Sequence, residues 1–132
     1  MGTTTATLDG VICEACRDRH EDGRRLLTAV FNGDFTARQV KVLEVKADAV
    51  LGEHYHDYDE MFYLLKGQAI IEVENVETKD RGGYQLSAGD RIFFPKKVAH
   101  RLWVKADSVL IGCTDHPYFE AGGHHAYHLY QV

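Results

Sequence analysis

The chain has 132 residues and a formal net charge of −5, enough length for one domain with a buried core. No block of Lys and Arg offsets that acidic balance, which excludes sequence-independent nucleic-acid binding, where clustered cations must neutralise phosphates. No apolar run reaches membrane-spanning length, and "MGTTTATLDG" lacks the basic and apolar stretches of a secretory signal, so the expected location is the cytoplasm.

Residues 1–25 form an N-terminal segment with room for one short helical turn at most, between Cys13 and Arg25. Cys13 and Cys16 make a C-x-x-C with His20 four residues on, but no second Cys/His pair follows at zinc-finger distance. The odd total of three cysteines suggests no disulfide framework, and the pair reads as free thiols.

From Leu26 to residue 115 the sequence reads as β. The runs "RRLLTAVF", "ARQVKVLEV", "EMFYLLKG", "QAIIEVENV", "DRIFFP", "HRLWV" and "SVLIGCT" are rich in Val, Ile, Leu, Phe and Tyr. Turn-prone pieces separate them: "NGD", "KADAVLGE", "KG", "KDRGG", "SAGD", "PKKVA" and "KADS". Ala69, Ile71 and Val73 fall on one face of their strand, as do His100, Leu102 and Val104. Many short strands without a long amphipathic helix predict an all-β sandwich or barrel, in a single domain spanning residues 1–132. Residues 116–132 are expected to be an exposed tail, because Gly122 and Gly123 precede His124, His125 and His128.

"GEHYHDYDEMFYLLKG" carries the chemistry. Strand alternation points His54 and His56 to one face and Tyr55 to the other, and Glu60 keeps their parity. His100 heads a later strand, and strands packed side by side would bring His54, His56, Glu60 and His100 together. Three imidazoles and a carboxylate around an open position suit a divalent metal, with Fe, Mn, Ni and Zn all compatible.

At these positions the chain resembles the cupin superfamily. The first cupin motif, H-x-H, then E, then six residues and G, is filled by His54, His56, Glu60 and Gly67, with Asp48 where an earlier glycine usually stands. In the second motif Gly89, Pro95 and His100 match, while Lys97 replaces a glycine and Val104 an asparagine. The resemblance implies a single cupin barrel, a jelly roll or double-stranded β-helix, with those four residues as metal ligands. Small cupins of this kind also resemble one another in pairing as homodimers, and Leu27, Val30 or Trp103 would lie on faces that the interior cannot use.

The flanks "EDGRRLLTAVF" and "SVLIGCTDHPY" are similar to small cupins of sugar-nucleotide pathways, the epimerases and ketoisomerases of deoxysugar synthesis. An isomerase or epimerase, cyclase or lyase acting on a small oxygenated substrate is therefore expected. A metal-dependent dioxygenase and a non-enzymatic small-molecule binder are the alternatives. In phase with the ligands, Phe62, Leu64, Leu102 and Val104 would make an apolar floor. Tyr63, Tyr58 and Lys41 are the candidates for catalytic roles; Gln39, or Arg38 on the opposite face, would add polar contacts. Asp57 and Asp59 would either hold a ligand histidine or face solvent, and His116 would stand near the pocket mouth.

Overall fold

The computed structural model describes residues 4–117 and 123–131. Thirteen strands run through them: β1 (Thr4–Ala6), β2 (Ile12–Ala15), β3 (Arg19–Glu21), β4 (Leu26–Thr28), β5 (Gln39–Glu44), β6 (Ala49–His56), β7 (Glu60–Lys66), β8 (Gln68–Asn75), β9 (Arg81–Ser87), β10 (Asp90–Phe94), β11 (Val98–Val104), β12 (Val109–Thr114) and β13 (His124–Ala126). The all-β jelly-roll expectation holds. One sheet has the order β1-β9-β8-β11-β6-β13 and the other β2-β10-β7-β12-β5, every pair antiparallel; β3 and β4 form a separate hairpin. The barrel is not closed: among the described residues no strand joins the two sheets by ladder hydrogen bonds.

Alternation builds the core. Ala69, Ile71 and Val73 of β8, with Leu102 and Val104 of β11, face Phe62 and Leu64 of β7, Ile92 and Phe94 of β10, and Leu110 of β12. Side chains of this type gain roughly 1.5–3 kcal/mol each on full burial, the main force holding the sheets together. Outward positions on the same strands, such as Ile70 and Trp103, stay exposed. Trp103 donates its indole N–H to Glu72 and is about half exposed.

The decisive irregularity is in β6. Ala49 and Leu51 pack against the core, so an unbroken strand would send His54 and His56 outward. The register with β11 slips here: His100 opposes His54, but Arg101 opposes Gly52. Glu53 is the extra residue of a β-bulge, with φ of 60° beside Gly52 at 92°. The bulge changes the strand's phase and turns both histidines inward. Gly52 is required, since a Cβ there would lie 2.7 Å from the His100 carbonyl oxygen. Lys97, where the motif has glycine, takes a glycine-like φ of 68°.

Four readings are corrected. "KADAVLGE" is not all turn: β6 begins at Ala49, because the bulge absorbs the glycine within the strand. "KDRGG" opens β9, where Gly82 leaves room for the backbone of β1 and Leu8. The N-terminal segment forms strands, with β2 pairing along β10 and Cys13 opposite Ile92. Residues 123–131 are not an exposed tail: β13 pairs with β6 and Leu129 is 2% exposed; Gly122 lies outside the described residues. No described helix is long and apolar enough to cross a membrane.

Gly52→Ala is expected to cost at least about 2 kcal/mol, from left-handed strain plus collision with the His100 carbonyl. Chemical denaturation measures it, and Gly33→Ala, with φ of 84° but open space around it, should cost less.

Candidate metal centre

The end of β6 supplies His54 and His56, β11 supplies His100, and β7, in the facing sheet, begins with Glu60. The four are brought together: one donor atom from each lies within 4.8 Å of the others. Donors sharing one ion at about 2.0–2.3 Å stand roughly 3–4.5 Å apart, so the cluster is close to ion-binding size. His56, Glu60 and His100 are buried, and His54 is half-buried.

Their polar atoms are oriented for something other than each other. Glu60 Oε1 lies 3.2 Å from His56 Nε2 and 3.2 Å from His100 Nε2, yet neither contact has hydrogen-bond alignment. Both nitrogens of His56, both oxygens of Glu60 and Nε2 of His100 lack hydrogen-bond partners within the protein. Unpartnered buried polar atoms are costly, and a cation among them would satisfy all the converging donors at once. The donor set therefore fits a divalent metal ion. The other His100 nitrogen, Nδ1, sits 3.4 Å from the Val98 carbonyl, which favours Nε2 as its ligand atom.

Electrostatics keep His54 and Glu60 in ligand form. Burial, then the neighbouring His100 and His56, push His54 down to about 3, so its imidazole is neutral at pH 7. Burial alone would raise Glu60, but the imidazoles of His100 and His56 and the Lys41 ammonium outweigh it and hold the carboxyl well below its usual range. Lys41 Nζ stands 3.4 Å from Glu60 Oε2. Its stem crosses Gly112, where a Cβ would come within 3.0 Å of Lys41 Cε and 2.8 Å of Phe62.

The walls are aromatic. Phe94 stacks on His100 at 4.5 Å, and Tyr58 stacks between His56 at 4.5 Å and His116 at 5.0 Å. Thr114, opposite Glu60 and Gln39 in the ladder, bonds Gln39 Oε1 at 3.3 Å. Of the catalytic candidates, Lys41 and Tyr58 reach the cluster. Tyr63 does not: it alternates with Phe62 and Leu64, which face the core, and lies on the other side of β7 from Glu60. Arg38 is exposed. Asp57 binds Lys97 and His125, and Asp59 accepts the Lys96 amide, so neither holds a ligand ring. Cys13, Cys16 and His20 do not form a metal-ligating group.

A family model described as a cupin domain matches residues 41–111, more than half the chain. The chain belongs to the cupin family. Solved structures similar to this cupin include NovW, a 4-keto-6-deoxy sugar epimerase from the novobiocin gene cluster of Streptomyces spheroides. Its TM-score is 0.75 at 14% identity, covering 91% of this cupin and 70% of that chain. The rmlC epimerase of Mycobacterium tuberculosis gives 0.77 at 15% identity, covering 92% and 71%. WlaRA of Campylobacter jejuni, a TDP-fucose-3,4-ketoisomerase, gives 0.72 at 14% identity, covering 87% of each chain. These likenesses establish a shared fold. No curated protein matches this cupin in sequence.

Sequence reasoning missed His124. β13 sets it opposite His56, with its ring 4.4 Å from His54 and 5.1 Å from His56. Burial and the nearby His56 lower its pKa below the usual imidazole value. The available signal was the period-two spacing of His125, Tyr127 and Leu129, which the structure turns towards protein. Tyr118, in the acidic-Pro-Tyr flank, lies outside the described residues.

Metal-free protein should lose stability in acid through two groups. The unfolded chain protonates His54 near pH ~6.5, while the folded chain refuses that proton until about 3, so stability falls as pH drops through this window. Glu60 adds a loss at lower pH, as its depressed folded pKa is passed. Denaturation midpoints from pH 7 to 3 test the sign, and His54→Asn should flatten the upper part of the curve.

Proposed function

We propose that this cupin is a metal-dependent isomerase or epimerase of a small oxygenated substrate, moving a proton at a carbon beside a carbonyl. The observation that carries the reading is the convergence of four ligand-type side chains, three of which, His56, Glu60 and His100, hold buried polar atoms without hydrogen-bond partners in the protein. His54, His56, Glu60 and His100 are its ligands. The ion supplies Lewis acidity to a substrate oxygen and one or two exchangeable positions. The fold shared with enzymes acting on 4-keto-6-deoxy sugars supports such sugars, or their nucleotide-linked forms, as the substrate class.

Proton transfer falls to this chain's own residues. In an epimerisation the C–H bond breaks, its electron pair delocalises onto the carbonyl oxygen and the proton goes to a base on one face; the pair then returns to carbon, which takes a solvent proton on the opposite face. No oxidant is consumed. Tyr58, stacked on His56 and His116, stands at the rim where a substrate carbon would lie, and we assign it the proton. Lys41 places positive charge beside the Glu60 carboxylate, where it also favours an oxyanion on the substrate. Phe62, Phe94 and Leu102 form a dry floor that strengthens both effects.

Protein purified without chelators or a nickel column should carry about one divalent ion per chain, and His56→Ala or Glu60→Ala should remove most of it. Elemental analysis showing none, with no thermal shift on adding metal, rejects the site. Metal-loaded protein incubated in D2O with a nucleotide-linked 4-keto-6-deoxy sugar should exchange the proton beside the carbonyl, read by NMR. Tyr58→Phe should slow that exchange about 100-fold with metal content unchanged. Oxygen uptake instead of exchange would make the protein a dioxygenase, and saturable binding without turnover a binding protein.

The proposal extends to a homodimer through the outer face of the larger sheet, where Trp103, Ile70 and Val50 are all exposed. Light scattering should give twice the chain mass at micromolar concentration, and Trp103→Glu should return the monomer.

A further inference from the structure

We infer that the C-terminal strand β13 builds the mouth of the metal centre, and that His124 contacts whatever occupies the ion's exchangeable position. The inference rests on the metal reading above.

β13 is firmly fixed. The Asp57 amide donates to the Gly123 carbonyl at 2.9 Å, and the Tyr127 amide donates to Glu53 at 3.0 Å. His125 stacks on Tyr55 and meets the Asp57 carboxylate at 2.8 Å. Beyond the strand Leu129 is buried, and buried Glu74 accepts from the Tyr127 hydroxyl and the Tyr130 amide. The strand is also fitted to the site, since a Cβ at Gly123 would come within 2.7 Å of the Tyr58 ring. Any side chain at position 123 would therefore disturb the tyrosine stacked on His56.

His124 belongs to this mouth and not to the ligand set. Its ring lies 4.4 Å from that of His54, but it is outside the group of converging donors. Three of the four ligands are at most 5% exposed, whereas His54 is half-buried. His124, itself exposed, lies against His54, the most accessible member of the set. An imidazole there can hydrogen-bond to a metal-bound water, an inorganic anion or a substrate oxygen, while leaving the ion's own ligands intact.

The test uses cobalt(II) as the metal and azide as the exchangeable ligand, both followed by visible absorption of the full-length protein. His124→Ala should weaken azide binding about tenfold or more while cobalt affinity stays within about threefold of the parent. His124→Gln, which restores a side-chain N–H, should recover part of the azide affinity. Equal azide affinity in parent and His124→Ala overturns the inference while leaving the metal site standing. A loss of cobalt affinity as large as that of His56→Ala also overturns it, since His124 would then be a ligand. Absence of cobalt binding by the parent protein overturns the metal reading and this inference together.

Discussion

A carboxylate exposed to about 1%, as Glu60 is, persists inside an apolar sandwich only where donors or positive charge face it. Here they come from three directions. His56 and His100 close on one oxygen and Lys41 approaches the other. Each depends on a backbone feature elsewhere: the bulge for His56, the bulged register of β11 on β6 for His100, and the bare Cα of Gly112 for the Lys41 stem. The arrangement is electrostatically favourable but leaves donor atoms without hydrogen bonds, so the protein alone does not complete it. A cation does.

The backbone departs from ideal strand geometry where the site needs it. Without Glu53 as an extra residue, β6 would keep Ala49 and Leu51 in the core and point both histidines to solvent. Lys97, in the turn before β11, accepts the left-handed backbone that precedes His100, and its amide bonds the His56 carbonyl. That contact ties the end of β6 to the turn before β11. Such strain costs roughly 1–3 kcal/mol per residue and persists only where surrounding structure enforces it.

How much could be read in advance follows from the range of the interactions. The four converging residues were legible because H-x-H and the distant Glu and His are local patterns of residue type, and the core faces of β8 and β11 because alternation is local too. The bulge was not, since Gly52 reads as a turn until its pairing with β11 is known. β9 was hidden for the same reason: Gly82 serves a close approach by β1 and Leu8, and Gly83 pairs with Ala6, contacts with residues distant in the chain. The strand carrying His124 is short, and its identity lies in its pairing with β6. Tyr63 was misplaced by composition alone, whereas its parity relative to Glu60 already put it on the other face.

Because the four clustered residues come from both sheets, the site cannot form before the sandwich does. His54, His56 and His100 sit on the larger sheet and Glu60 on the smaller, and no ladder hydrogen bonds join the two among the described residues. Apart from the core, then, an ion shared by these residues is a direct link across the sandwich. Binding only the folded arrangement, it stabilises folding in proportion to its occupancy. The unpartnered atoms that make this centre costly are the same ones that would favour an ion, so stability and ion affinity would derive from one set of contacts. Protons act on the same balance: acid titrates His54 in the unfolded chain before the folded one, drawing the protein away from the fold.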